Sequence, residues 1–338
     1  KATLDASKDN IEQQGNRVWI DGDPESVLII DFFSDTPKRL DFLIAECQAI
    51  LQANGSYSIK LIDKSDRNKV WGVRKAGLGL LMGKVGPKKA IAVIEDAAVP
   101  LSRLYSYYQE IKSLMKSYSV DAVYYGHASV GLIHIRPILD LSKNKDQKIM
   151  HSIAKKVSKI VKKYHGSLSG EHGDGRIRAP FLEEQFGRVV YQYFVDLKYT
   201  FDPGNLFNPG VILSDKSIVE DLRPVVSQQE LTTAFNWKGD LSFFYAVEKC
   251  NGAGVCRKST GGNMCPSYRA TRSEEFSTRG RANLLRKALS AENPTKSLKS
   301  NELKEALDLC LSCKACKNEC PANVDMAKLK SEYLFQTR

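Results

Sequence analysis

Four cysteines fall within eleven residues, at Cys310, Cys313, Cys316 and Cys320, and Pro321 follows the last of them. The spacing C-x2-C-x2-C-x3-C-P puts three thiolates on one short turn, where each can meet a different iron of a cubane cluster. The fourth is turned toward a second cluster. A structural zinc knuckle also needs clustered thiolates, but its ligands usually come as two C-x2-C arms set well apart. The iron–sulfur reading is therefore the better one, and the rest of the chain is read as what delivers electrons to this run.

The 338 residues leave room for two or three domains. Of eight cysteines, seven lie after residue 249, too localised for a secreted disulfide scaffold. Clustered thiolates call for a reducing compartment: the cytoplasm, including the inner face of its membrane. No run of 18 apolar residues occurs and Lys1 opens no recognisable signal peptide, so neither a membrane span nor export is expected. Fifty Lys plus Arg against 39 Asp plus Glu give a net charge of +11, which suits a small anionic substrate or an anionic surface. Nucleic acid is not expected. The lysines of Lys155–Lys163 line the polar face of an amphipathic helix, and no aromatic-studded basic groove accompanies them.

Residues 1–25 are polar and read as peripheral. Ser26–Phe33 (SVLIIDFF) is a short apolar, β-branched run and predicts a buried strand. Thr36-Pro37 opens a helix whose stripe is Leu40, Leu43, Ile44, Cys47 and Leu51, with Cys47 a small buried hydrophobe. Tyr57–Ile62 is the next predicted strand. Val70–Leu81 reads as a helix carrying Arg74, Ala90–Val99 as a third strand, and a helix runs from Pro100 to Met115. Asp121–His127 and Leu132–Pro137 make two strands around a turn at Val130-Gly131, and Asp146–Tyr164 is an amphipathic helix. Ser167–Gly175 is turn-rich, a helix spans about Glu183–Thr200, and Asp202–Gly210 is a Pro/Gly/Asn loop that ends a domain. Helical segments at Thr278–Leu289, Glu302–Leu309 and from Asp325 onward follow. The order β-α-β then β-α-β-β fits a ferredoxin-like antiparallel sheet with helices, an α+β fold.

Two stretches carry chemistry. With a two-residue turn at Val130-Gly131, His127 and His134 stand directly opposite each other, with Cβ atoms about 5 Å apart, a chelating separation. Arg136 points to the same face. Such a pair is also common as plain structure. The second stretch, Ser169-Gly170-Glu171-His172-Gly173-Asp174-Gly175-Arg176, is a charge-dense glycine-flanked loop that could equally be a solvated turn. Together the two stretches hold three of the five histidines. Two histidines plus the Glu171 carboxylate make a divalent-metal set with open positions, and His172, kept off the metal, suits a general base.

GHASVGLIHIRP, SGEHGDGR and FDPGNLFNPG resemble the C-terminal domain of the FAD-linked oxidases of the D-2-hydroxyacid dehydrogenase type. CNGAGVC, MCPSYRATR, STRGRA and LCLSCKACKNECP are similar to the iron–sulfur extension of its large bacterial members, of the D-2-hydroxyglutarate and D-lactate class. The resemblance implies that His127, His134 and Glu171 bind a divalent metal such as zinc, which grips the substrate's 2-hydroxyl and carboxylate. It implies His172 as base, Arg74 as carboxylate binder with Arg136 as a second, and Asn208 against the flavin. The implied reaction oxidises a small anionic 2-hydroxy acid to the 2-oxo acid, with electrons passing from FAD to a cluster and on to a quinone or carrier protein. The glycine-rich pyrophosphate loop of the family has no counterpart here, so a separate FAD-binding domain or subunit is expected, this chain being a fragment or one subunit. A rival reading is a non-catalytic electron-transfer or assembly subunit of a split glycolate-oxidase-like complex.

The expected domains are 1–213 (substrate and cap domain), 214–245 (a surface linker) and 246–338 (a helical ferredoxin-type domain). In the last, a two-cluster arrangement draws Cys265 to Cys310, Cys313 and Cys316, and joins Cys320 to Cys250 and Cys256. That second group has three thiolates only. It requires a non-cysteine ligand, lacks an iron, or binds nothing, so one 4Fe–4S cluster is expected and a second is left open.

Overall fold

Helix α1, Pro37–Ala53, begins where the sequence signals it: Thr36 accepts a hydrogen bond from the Arg39 N–H and Pro37 opens the first turn. The computed structural model containing it describes residues 1–8, 10–223 and 231–338, which divide into two units, Lys1–Gly83 and Lys84–Arg338. In the first unit α1 buries none of its residues, and Cys47 is half-buried rather than part of a core. Neither flanking segment is a strand. Residues 26–33 and 57–62 are irregular chain, with Leu28, Phe33 and Leu61 about seven-tenths exposed or more (70%, 77% and 69%). A strand exists only when a neighbour accepts its backbone hydrogen bonds, and none does so among the described residues. The core of this unit comes instead from helix α2, Arg67–Met82, through Val70, Val73, Gly77 and Leu81. The N-terminal residues, expected to be peripheral, pack on it. Leu4 is buried, and a Cβ on Gly77 would lie 2.6 Å from Thr3 Cγ2.

The second unit holds a three-stranded antiparallel sheet of β1 (Lys89–Ala90), β2 (Ala122–His127) and β3 (Leu132–Leu139), in the order β1-β3-β2. Side chains alternate across β3. Ile135 and Leu139 enter the core with Tyr107, Ile111 and Met115 of helix α3 (Leu104–Ser117) and with Ile153, Val157 and Val161 of helix α4 (Asn144–Lys163). Leu132, His134 and Arg136 face the other way. The architecture is the expected mixed one, helices with a small antiparallel sheet, but the third strand is shorter than predicted. Pairing ceases after Ala90 and returns only as single bridges at Ile94 and Ala98. Between them Glu95 and Asp96 turn their charges inward to polar partners, which a regular ladder does not allow. The predicted helix at Glu183–Thr200 is likewise two, α5 (Leu182–Phe186) and α6 (Arg188–Phe201), because Gly187 at φ +81° breaks it.

A second core, all-helical among the described residues, is built by α7 (Phe243–Glu248), α8 (Thr278–Leu289), α9 (Asn301–Asp308) and α10 (Met326–Thr337). Part of the expected linker, residues 224–230, lies outside the described residues. Its two flanks are not merely superficial, since Ile218 and Trp237 are buried. Glu332, wholly buried in α10, accepts hydrogen bonds from the backbone N–H groups of Ala234 and Phe235 and from Trp237 Nε1, all at 3.1 Å. No helix among the described residues is long and apolar enough to cross a membrane.

The hairpin turn is set by Gly131, at φ +72°, whose added Cβ would stand 1.9 Å from the Val99 carbonyl oxygen. Gly131→Ala therefore meets both the left-handed penalty of about 1–2 kcal/mol and a backbone clash that no rotamer relieves. A melting temperature lower by about 5–10 °C is expected for a unit of this size. An unchanged melting curve refutes the close approach.

Candidate functional sites

The hairpin register differs from the expected one. Residues Ala128–Val130 form a short 3₁₀ turn, so His127 pairs with Leu132 and His134 pairs with Tyr125. The two histidines are diagonal neighbours on one face rather than opposed, yet their rings still meet edge to face with centroids 5.6 Å apart. Across from them lies the loop that carries Glu171 and His172. Its Oε1 atom on Glu171 gathers three imidazole nitrogens: His134 Nε2 at 3.2 Å, His172 Nε2 at 3.3 Å and His127 Nε2 at 3.7 Å. The rings of His134 and His172 stack, 5.2 Å apart and 6° from parallel. The tightest donor group is Asp96, His134, Glu171 and His172, all four ligand atoms within 4.8 Å of one another.

This loop owes its shape to Asp96, which is completely buried and was not singled out from sequence. Its carboxylate accepts Ser169 Oγ at 2.6 Å and the His172 N–H at 2.9 Å, with the Glu171 N–H at 3.3 Å. Burial alone would push Asp96 up; these hydrogen bonds outweigh it and hold the carboxyl below its ordinary range. His134 is 3% exposed, and its Nδ1 lies 2.6 Å from the Glu95 carbonyl oxygen. Burial lowers its pKa despite that carbonyl and the nearby carboxylates. The ring is accordingly neutral, with the proton on Nδ1 and a lone pair on Nε2. That lone pair faces a carboxylate oxygen, and two acceptors at this separation call for a cation between them. The donor set thus fits a divalent metal, and His134 has its other ring nitrogen anchored, as histidines in metal sites do.

Arg136 is buried. It donates Nη2 to Glu95 Oε2 at 2.6 Å and Nε to Tyr125 Oη at 2.9 Å, so its fork is largely committed. Arg74 lies half-buried on α2 in the first unit. Asn208 is exposed at φ +47°, in a loop where Asp202 accepts the N–H groups of Leu206 and Phe207, both at 2.9 Å.

In the helical core, Cys250, Cys256, Cys265 and Cys316 are buried, Cys310 and Cys320 are half-buried and Cys313 is exposed. The first turn of α8 serves two of them: Thr278 N–H donates to Cys265 Sγ at 3.0 Å and Arg279 N–H to Cys256 Sγ at 3.4 Å. Both thiolates thereby meet the positive end of a helix. Cys316 feels the charges of Cys310 and Cys265, Cys320 feels Cys256, and Cys250 feels Cys320, while Cys256 feels Cys265 ahead of Cys250, so these six thiols form one continuous cluster of neighbours. Burial pushes the Cys316 thiol up to about 11 and raises Cys250, Cys256 and Cys320 as well. These thiols resist ionisation by themselves, and the iron of a cluster supplies the positive charge that thiolate formation needs. Amide donors aimed at sulfur and a thiol-lined core fit an iron–sulfur cluster.

A family model described as FAD linked oxidases, C-terminal domain, matches residues 1–212, and one described as a 4Fe-4S dicluster domain matches residues 246–324. The D-2-hydroxyglutarate dehydrogenase of Pantoea ananatis is 30% identical over 92% of this chain and 35% of its own length. That of Escherichia coli (strain K12) is 29% identical over 96% of this chain and 35% of its own. The D-lactate dehydrogenase of Archaeoglobus fulgidus is 26% identical over 60% of this chain and 42% of its own. The chain thus spans about 35% of the length of the D-2-hydroxyglutarate dehydrogenases it matches.

Proposed function

This chain belongs to the FAD-linked oxidases through their C-terminal domain and carries a 4Fe–4S dicluster domain after it, and from that premise we propose that it is the substrate-side and electron-exit portion of an FAD-dependent D-2-hydroxyacid dehydrogenase of the D-2-hydroxyglutarate or D-lactate class. The observation that carries this reading is the convergence of three imidazole Nε2 atoms on one oxygen of Glu171 at 3.2–3.7 Å. His127, His134 and Glu171 would hold a divalent ion such as zinc, which leaves His172 to take the proton of the substrate's 2-hydroxyl. Arg74 would grip a carboxylate. Arg136 enters with its fork already occupied by Glu95, and so as the weaker of the two. When bound, the metal would supply Lewis acidity, the flavin an acceptor for the substrate's hydride, and the cluster a one-electron carrier.

Cys265, Cys310, Cys313 and Cys316 would ligate the first cluster, and Cys250, Cys256 and Cys320 form the three-thiolate group of a second. Asn208 would lie against the flavin. The proposed domains are 1–213, 214–245 and 246–338, with an FAD-binding domain or subunit and a quinone or carrier protein as partners in the cytoplasm.

Anaerobic mixing of the flavin-loaded holoenzyme with D-2-hydroxyglutarate or D-lactate tests this. Flavin absorbance should bleach and a reduced-cluster signal should follow. Glu171→Gln should weaken zinc binding, since a neutral amide oxygen replaces an anionic ligand, by at least the roughly 10–100-fold that losing a mere outer-shell partner costs. Equal turnover of an alcohol without a carboxylate, or full zinc affinity in Glu171→Gln, sinks the proposal.

A further inference from the structure

Glu95 reads in the sequence as a charge inside a strand, yet it touches His134, Arg136 and His172. Its carboxylate is almost wholly buried, at 11% exposure. Oε2 takes Arg136 Nη2 at 2.6 Å, and Oε1 lies 3.1 Å from His172 Nδ1. Its backbone carbonyl takes His134 Nδ1 at 2.6 Å. One residue therefore holds the Nδ1 atoms of both stacked rings, one through its side chain and one through its main chain.

The consequence is a matter of proton bookkeeping. A carboxylate paired with a guanidinium can only accept, so the hydrogen on His172 must sit on Nδ1. Its Nε2 then carries a lone pair and points at the same place as His134 Nε2, toward Glu171 Oε1. That is the tautomer a base needs at its working nitrogen. Without Glu95 the ring can flip or take its proton on Nε2, where it can abstract nothing.

We propose that Glu95 is the positioning residue of this site. It fixes His172 as the Nδ1–H tautomer with the lone pair on Nε2, while Arg136 holds Glu95 in place from the other side. The proposal rests on the reading of His172 as the base of a 2-hydroxyacid-oxidising centre. It adds a residue whose contribution is orientation rather than contact with substrate.

The test is Glu95→Gln in the flavin-loaded holoenzyme, together with histidine-selective ¹⁵N labelling, which is tractable because the chain has five histidines. In the parent protein, long-range ¹H–¹⁵N correlations should show His172 protonated at Nδ1. In Glu95→Gln a substantial Nε2–H population should appear. The rate of flavin reduction should fall about 10–100-fold with KM changed less than about threefold, the cost typical of losing an orienting partner. Zinc content should stay at the parent level, because His134 is held by a main-chain carbonyl that the substitution leaves intact.

Where the single variant fails to fold because Arg136 is left buried without its carboxylate, the double variant Glu95→Gln/Arg136→Met removes that charge and still releases His172. An unchanged His172 tautomer in a folded variant, or a reduction rate within about threefold of the parent, overturns the proposal. A tautomer shift with no turnover of any D-2-hydroxy acid by the parent protein would instead leave the positioning role standing and remove the reaction it was thought to serve.

Discussion

His172→Gln is expected to keep its divalent metal and to lose about 10²–10⁴-fold in the rate of flavin reduction, the range typical for removal of a general base. Glutamine preserves the bulk and a polar tip but cannot accept a proton at neutral pH. Substrate affinity should change little, because in the proposed assignment His127, His134 and Glu171 hold the metal that grips the substrate. Stopped-flow reduction on the flavin-loaded holoenzyme, with zinc measured on the same sample, separates the two roles. His172 Nε2 is nearer to Glu171 Oε1 than His127 Nε2 is, 3.3 Å against 3.7 Å. Loss of zinc in His172→Gln would therefore make His172 a ligand and place His127 outside the metal's shell.

Cys265→Ser should be the most damaging change in the helical domain. Cys265 adopts φ +58°, a strained conformation for a residue with a side chain, and holds it against the Thr278 N–H. Arg281, 1% exposed, lies behind it and also donates to the Ala306 carbonyl at 2.6 Å and to Ser267 Oγ at 2.8 Å. A serine hydroxyl does not replace a thiolate on iron, and metal-binding energy in such small ligand-rich domains is folding energy. The broad visible absorbance should vanish and iron content should drop. The thermal transition of the unit Lys84–Arg338 should fall by on the order of 10 °C or more. Cys313→Ser, at an exposed ligand, should lose the absorbance with a smaller thermal penalty. Full iron content in Cys265→Ser would remove this cysteine from the ligand set.

Much of this was legible in the residues themselves. The C-x2-C-x2-C-x3-C-P run, the capped helices and the two charged stretches each announce themselves through local chemistry. Helix α4 follows its apolar stripe from Ile149 to Tyr164, and the hairpin strands fall where their apolar residues alternate. What stayed hidden depends on partners far away in sequence. The register of the hairpin turns on Gly131 fitting beneath Val99, and a symmetric two-residue turn was the simpler assumption. Ser26–Phe33 and Tyr57–Ile62 have strand composition but no ladder partner among the described residues, so composition alone misassigned them. Glu95 and Asp96 are the instructive omission. Two adjacent acids inside an apolar run are an anomaly in a strand that should have been exposed on one side only. That breach of alternation was the available signal of a buried polar site.

The contacts of Asp96 also bear on how the molecule is made. Its partners Ser169, Glu171 and His172 are 73–76 positions away along the chain, with the whole hairpin and α4 between. Closing so long a loop carries an entropic penalty before any of its contacts form. The cysteines from 310 to 320 need no such closure among themselves. During refolding the loop held by Asp96 should consequently be the last segment around the sheet to gain protection from amide exchange, later than the helices that flank it. A slow step in refolding would fall there, in the interval when the hairpin is formed but the acidic segment Glu95-Asp96 has not yet met its loop.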